Sequence, residues 1–375
     1  MIVGVPRETK VHEYRVGLTP QSVRELTRRG HQAWIETGAG AAIDFSDADY
    51  RAAGAKVVAK AGELFAGADT IVKVKEPLAS ERAQLRPGQV LFTYLHLAPD
   101  PLQAKELVAS RAICIAYETV TSASGTLPLL APMSEVAGRM SIQAGAHALE
   151  KSRGGRGVLL AGVPGVPPGR VLILGGGVVG VNAAQMAVGM GADVTVVDRS
   201  LEALRRIDAR FGAAVKTQYS TEAAVEAAAL EADLVIGAVL VPGAAAPKLI
   251  GRKLLPRMKR GAVLVDVAID QGGCFETSRP TTHDDPTYEV DGIIHYCVAN
   301  MPGAVARTST LALNNATLPF VLALAEKGWK RALGDDPHFA NGLNIAAGKV
   351  TNRAVADALG LAYTPVEEAL DAGAA

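Results

Sequence analysis

Gly175, Gly177 and Gly180 make a Gly-x-Gly-x-x-Gly turn straight after the apolar run Val171-Leu172-Ile173-Leu174. Asp198 closes a second apolar run, Val194-Thr195-Val196-Val197. Residue types at this spacing suit a pyrophosphate. Gly175 allows the tight turn, Gly177 lets backbone approach the phosphates, and Gly180 lets helix and strand pack closely. The small-residue helix that follows, Val181 to Met190, offers unpaired N–H groups and a partial positive charge. Asp198, about 20 residues on, is placed to accept hydrogen bonds from a ribose diol. A carboxylate there repels a 2′-phosphate, so the expected coenzyme is NAD rather than NADP. Arg199 next door offsets part of that repulsion. The competing reading is a purely structural βαβ turn.

A second set of candidates lies at expected strand ends. Lys73 and Lys75 interrupt Thr70-Ile71-Val72-Lys73-Val74-Lys75-Glu76-Pro77, and period two puts both on one face. Lysines are unusual on a parallel strand meant to be buried. Lys75, nearer the end, suits a carboxylate or carbonyl ligand, against a solvated strand end; Lys73 reads as a partner for an acid. His96 follows Val90-Leu91-Phe92-Thr93-Tyr94-Leu95 and is either a proton-transfer group or a hydrogen-bonded turn histidine. Asp270 follows Ala262-Val263-Leu264-Val265-Asp266-Val267 and precedes Gly272-Gly273, as a site acid or a loop N-cap. Arg15, in the loop before Thr19-Pro20, can clamp a carboxylate bidentately.

The elements that must position these groups alternate. Strands are expected at Ile2 to Val5, Gln32 to Glu36, Lys56 to Ala59, Thr70 to Val74, Val90 to Leu95 and Ala112 to Tyr117. Thr19 caps a helix opened by Pro20, and Asp100-Pro101 opens another. After Asp198 strands are expected at Leu234 to Val239, Ala262 to Val267 and Ile293 to Val298, with a helix at Gly251 to Met258. Long helices at about 134–151 and 308–327 bracket the glycine-turn half, and the tail from Phe339 to Leu370 reads as mostly helical. The fold class is α/β: two Rossmann-like domains with parallel sheets, one of them discontinuous and linked by long helices. The boundaries are 1–133 with 308–375, and 134–307, with the site expected in the cleft between them.

The chain has 375 residues, 49% hydrophobic and 20% charged, with 38 basic and 38 acidic side chains, so no bulk charge draws it to nucleic acid or a membrane. Its three cysteines, Cys114, Cys274 and Cys297, have no metal or disulfide spacing. The first residues read as a strand rather than a signal peptide, and the apolar stretches at Leu129-Leu130 and Val158 to Val166 are too short or too broken to span a bilayer. A cytoplasmic protein is expected.

Together the segments resemble the alanine dehydrogenase family, shared with the nucleotide-binding α-subunit of proton-translocating transhydrogenase. The resemblance rests on Gly4-Val5-Pro6-Arg7-Glu8, Arg15-Val16-Gly17-Leu18-Thr19-Pro20, Glu36-Thr37-Gly38-Ala39-Gly40 and Val72-Lys73-Val74-Lys75-Glu76-Pro77. It continues through Tyr94-Leu95-His96-Leu97-Ala98, Ala131-Pro132-Met133-Ser134-Glu135-Val136-Ala137-Gly138, the Gly175 to Gly180 turn and Val298-Ala299-Asn300-Met301-Pro302-Gly303. It implies a discontinuous substrate domain, an NAD domain, a homohexamer, and reversible oxidative deamination of L-alanine to pyruvate and ammonium. On that basis Arg15 and Lys75 hold the substrate's carboxylate and carbonyl oxygens, His96 is the acid/base and Asp270 activates water or ammonia. The implied nucleotide contacts are Ser134, Gly175, Gly177, Val178, Val179, Gly180, Asp198, Ser220, Val239, Leu240, Ile269, Asp270, Arg279, Asn300 and Met301. Ala203 departs from a basic residue often found there. Ala323 and Lys327 stand where some relatives offer a metal pair, so no metal is expected. The alternative is a transhydrogenase-like subunit that passes hydride only with a membrane partner. The His96 and Asp270 segments favour amino-acid chemistry, because nucleotide-to-nucleotide transfer needs neither a clamp nor a water-activating acid.

Overall fold

In the computed structural model, which describes residues 1–239 and 246–371, the chain forms two compact units. One comprises Met1–Met133 and Val305–Ala375, the other Ser134–Ala304. The first unit begins with six parallel strands: β1 (Ile2–Val5), β2 (Gln32–Glu36), β3 (Lys56–Val58), β4 (Thr70–Val72), β5 (Val90–Thr93) and β6 (Ile113–Ala116). Their spatial order is β6-β5-β4-β1-β2-β3. The order reverses between β1 and β4, the point at which open α/β sheets bind ligands beyond their carboxyl ends. The helices between them start where the chain supplies caps. Thr19 Oγ1 accepts from Ser22 N ahead of Pro20–Arg28, Ser46 and Asp49 form a reciprocal capping box, and Asp100 accepts from Gln103 N ahead of Pro101–Ser110.

The second unit contains β7 (Arg170–Leu174), β8 (Asp193–Asp198), β9 (Val215–Tyr219), β10 (Leu234–Gly237), β11 (Val263–Asp266), β12 (Thr287–Val290) and β13 (Ile293–Tyr296), in the order β12-β13-β11-β10-β7-β8-β9. All pair in parallel except β12 with β13. Alternation along β7 divides the core between two faces. Val171 and Ile173 pack with Ala183, Ala184 and Ala187, whereas Leu172 and Leu174 pack with Val225 and Ala229. Here the order reverses between β7 and β10.

The chain then re-enters the first unit through a helix, Ala306–Asp335, interrupted at Gly328, whose φ is 72°. By length and composition alone, the stretch Met301–Asp335 is enough to cross a membrane. It is packed as a core helix: Asn314 Oδ1 accepts from Thr19 N and Ser22 Oγ, and its Nδ2 donates to Gly17 O. Last come β14 (Leu343–Ala346), antiparallel to β6, and β15 (Lys349–Val350), antiparallel to β14.

Several elements differ from expectation. The tail is not mostly helical, because β14 and β15 form a hairpin turning at Ala347 and Gly348, with φ of 50° and 90°. Alanine is not a residue that announces a positive φ. The strand β9 and the hairpin strand β12 were not foreseen, although Asp291-Gly292 between β12 and β13 carries the usual hairpin signal. Residues Arg252–Arg257 form a 3₁₀ turn containing Pro256 rather than an α-helix. The strand expected to reach Val74 ends at Val72.

Candidate active site

Three of the substrate-half candidates lie beyond the carboxyl ends of β1, β4 and β5. Lys73 and Lys75 do not share an environment. Lys73 is fully buried with its Nζ 3.1 Å from Glu8 Oε2 and 2.7 Å from Glu81 Oε1. Burial works against its charge, and the two carboxylates outweigh it, so the ammonium is kept charged. Lys73 therefore braces the strand end. Glu8 Oε1 extends the brace by accepting from Val74 N at 2.7 Å and Lys75 N at 3.3 Å.

Lys75 is partly exposed, with its Nζ 3.9 Å from Glu76 Oε2. His96 Nδ1 lies 4.0 Å from that same oxygen, and the imidazole stacks on Tyr94 at 5.8 Å between centroids. Lys75 and His96 thus meet at one carboxylate, which Lys10 also holds through Oε1. Burial opposes ionisation of Glu76, but Lys75 and Lys10 prevail and keep its carboxyl below the usual range. His96 is not a relaxed turn residue, for its φ is 47°. Glu118 secures that backbone. Its carboxylate accepts from His96 N at 2.6 Å and from Leu95 N at 3.2 Å.

Arg15 is buried and ion-paired with Glu13, which accepts from its Nε at 2.6 Å and from its Nη2 at 2.5 Å. The bidentate partner observed is therefore Glu13. Arg15 Nη1 meets Met133 Sδ at 3.2 Å. Burial works against the guanidinium's charge and the Glu13 hydrogen bonds sustain it. Tyr94, whose OH donates to Leu129 O at 2.5 Å, has its phenol pushed up by burial and pulled back by the Arg15 charge. Arg15, Tyr94, His96, Glu76 and Lys75 form one contiguous group.

In the second unit the expected nucleotide contacts gather beyond the carboxyl ends of its parallel strands. Gly175 has φ 108°, and a Cβ there would stand 2.7 Å from Ala238 O. At Gly180 a Cβ would stand 1.8 Å from Gly175 O, so only glycine lets this helix reach its strand. Gly177, the N-cap of Val178–Gly189, faces open space. Asp198 at the end of β8 accepts from Gly176 N at 2.6 Å and from Ser200 N at 2.7 Å. It thereby ties the glycine turn, with carboxylate lone pairs to spare for a diol. These features fit a dinucleotide: room at Gly177, a helix N-terminus behind it, and an acid beside it.

Ser220 follows β9, and its N–H bonds Asp198 O at 2.9 Å. Val178 and Val179 open the helix, and a Cβ on Gly138 would lie 2.3 Å from Val179 O. This close approach seats the helix Ala131–Ala148, which carries Ser134, against the turn. Ala203 packs toward Gly176. Val239 follows β10, whereas Leu240 lies outside the described residues. Ile269 is buried in a 3₁₀ turn after β11. Asp270 occupies that turn's middle, exposed and not at its N-cap, and among the described residues no hydrogen bond reaches its carboxylate. Arg279 lies over the Tyr288 ring at 4.0 Å. Asn300, with φ 67°, and the buried Met301 follow β13.

Some residues that shape the two sites escaped sequence reasoning. Glu8, Glu13, Glu76, Glu81 and Glu118 hold the cations and His96. Asp266 holds the Asp270 loop by accepting from Cys274 N at 2.8 Å, from Ala268 N at 3.2 Å and from Ser278 Oγ. Burial pushes the Asp266 carboxyl up against those bonds. The signal available was an acid buried at a strand end. Among the described residues no group of three or more His, Cys, Asp or Glu is arranged to hold a metal, and Lys327 pairs with Asp335 at 2.7 Å.

Two doubly wound units, one with a coenzyme-type glycine turn and one with a cation and imidazole group, define a class of nucleotide-dependent oxidoreductase folds. Residues 4–137 match the family model "Alanine dehydrogenase/PNT, N-terminal domain" and residues 141–353 the corresponding C-terminal domain. The chain belongs to the alanine dehydrogenase/PNT family. It is 63% identical to an alanine dehydrogenase of Halomonas elongata over 97% of this chain and 98% of that protein. To an alanine dehydrogenase of Mycolicibacterium smegmatis it is 55% identical, over 99% and 100%. Among solved structures, an L-alanine dehydrogenase superposes with a TM-score of 0.93 at 52% identity, covering 96% of this chain and 99% of the other. A transhydrogenase from Sinorhizobium meliloti superposes at 0.80 with 25% identity, over 94% and 100%.

Proposed function

We propose that the chain is an NAD-dependent alanine dehydrogenase, converting L-alanine, NAD and water to pyruvate, ammonium, NADH and a proton, reversibly. The observation that carries the reading is the meeting of Lys75 and His96 at Glu76, beside Arg15 and Tyr94, in a chain 63% identical to an alanine dehydrogenase. The coenzyme, when bound, accepts a hydride from the amino acid's Cα. Gly175, Gly177, Gly180 and the first turn at Val178 and Val179 would hold its pyrophosphate, with Asp198 at the ribose. Ser134, Ser220, Val239, Leu240, Ile269, Asp270, Arg279, Asn300 and Met301 supply the remaining contacts.

Residues 1–133 and 308–375 act as the substrate domain and 134–307 as the NAD domain. Arg15 attracts the substrate carboxylate and so fixes Cα for transfer, and Lys75 later attracts the oxygen that water adds and that becomes the carbonyl. Oxidation leaves an iminium, which water must attack. Asp270, exposed and unburdened by hydrogen bonds among the described residues, takes a proton from that water as it adds. The C–N bond then breaks to release ammonia, protonated to ammonium, while His96 takes the proton from the new hydroxyl as the carbonyl forms. The protein works in the cytoplasm as a homohexamer on small molecules, without nucleic acid or membrane partner.

The test is a panel of small L-amino acids with NAD and with NADP at alkaline pH, where the amine is free. NADH formation with L-alanine is expected. Absence of NADH formation across the panel sinks the enzyme reading, and hydride exchange between nucleotides alone would favour the transhydrogenase alternative.

A further inference from the structure

Glu76 has no part in the reaction as written, yet it stands between two groups that do. Its Oε1 is held by Lys10. Its Oε2 is buried and takes no hydrogen bond among the described residues, although Lys75 Nζ is 3.9 Å away and His96 Nδ1 4.0 Å away. An ionised carboxylate oxygen only accepts, and leaving one buried without a donor is costly. Resting on the reading above, we propose that Glu76 is the positioning residue of His96: it accepts Nδ1–H and leaves Nε2 bare for the substrate.

The surroundings single out this pairing. Among the described residues the groups in contact with His96 are Tyr94, Glu118 and Glu76, with Lys75 and Lys10 across Glu76. The Tyr94 hydroxyl is already donated to Leu129 O. The Glu118 carboxylate is taken up by the main chain of Leu95 and His96. Among the described residues Glu76 is the carboxylate within reach of the ring, its Oε2 4.0 Å from Nδ1. With the His96 backbone fixed by Glu118, closing the gap to hydrogen-bond length takes a shift of about 1 Å at the ring. A base in an imidazole pair needs one tautomer, and the hydrogen bond at the other nitrogen chooses it.

The substitution to test is Glu76→Gln. Lys10 then draws the carboxamide oxygen, turning the amide NH2 toward Nδ1 and favouring the Nε2–H tautomer instead. With protein labelled by [15N]histidine and holding NADH, His96 is assigned by its loss in His96→Asn. We expect the Nδ1–H tautomer in the wild type and the Nε2–H tautomer in Glu76→Gln. The kcat should fall about ten- to hundredfold, the size seen when a carboxylate that orients a metal-bound histidine is removed, while KM for L-alanine changes less than about twofold. Glu76→Asp should lie between. An Nε2–H tautomer in the wild type overturns the proposal whether or not the variants fold, as does a Glu76→Gln kcat within about twofold of wild type. A wild type that forms no NADH with L-alanine defeats the functional reading instead, and the tautomer still decides whether Glu76 orients His96.

Discussion

Lys73 and Lys75 stand two apart in one segment, and the fold gives them opposite fates. Lys73 is buried between two carboxylates, so Lys73→Met strands Glu8 and Glu81 without a cation. A loss of about 3–5 kcal/mol of stability is expected, measured by denaturant unfolding. His96→Ala and Asp270→Asn should bind NADH as the wild type does, by fluorescence titration, and lose turnover; wild-type kcat in either removes that residue from the mechanism. The cysteines offer a contrasting expectation. Burial raises the thiols of Cys114 and Cys274 to about 12 and that of Cys297 to about 11, so none should react with a thiol reagent at neutral pH until the protein is denatured. At this scale the cations and His96 were legible, because a charged group in an apolar run is conspicuous. Their acidic partners were not. Glu118 and Glu81 sit in ordinary polar surroundings in sequence, and only folding brings them to His96 and Lys73.

Among the elements, the glycine turn separates two kinds of glycine. Gly180→Ala puts a Cβ onto Gly175 O and should lower both the melting temperature and NADH affinity. Gly177→Ala meets no protein atom within 4 Å, so it should melt as the wild type does while NADH binding weakens. Equal loss of stability in both variants would contradict the close-packing account. Capped helices and β-branched runs were readable because each carries its own local signal, as at Thr19-Pro20 and Asp100-Pro101. The strands β9, β14 and β15 were not. Val215–Tyr219 is largely exposed and polar, and β14 owes its state to pairing with β6 rather than to local preference.

For the whole molecule, the first unit depends on contacts between distant parts of the chain. Asn314, from the re-entering helix, bonds Thr19 N, Ser22 Oγ and Gly17 O around the first helix. Asn314→Ala takes this partner from the buried Thr19 N and Gly17 O, while Ser22 Oγ keeps Thr19 Oγ1 at 3.1 Å, and should cost about 1–3 kcal/mol, read by thermal unfolding. Sequence periodicity suggested the two bracketing helices, but it held no information on which backbone groups Asn314 would serve. The antiparallel strand β14 carries a further consequence. During synthesis the stretch Ser134–Ala304 leaves the ribosome with every strand of its sheet in hand, whereas β6 must wait, its edge bare, until Leu343–Ala346 emerges. The nascent chain therefore carries a sticky, unfinished lobe for most of translation, and that lobe, not the glycine-turn one, is where a chaperone would find purchase.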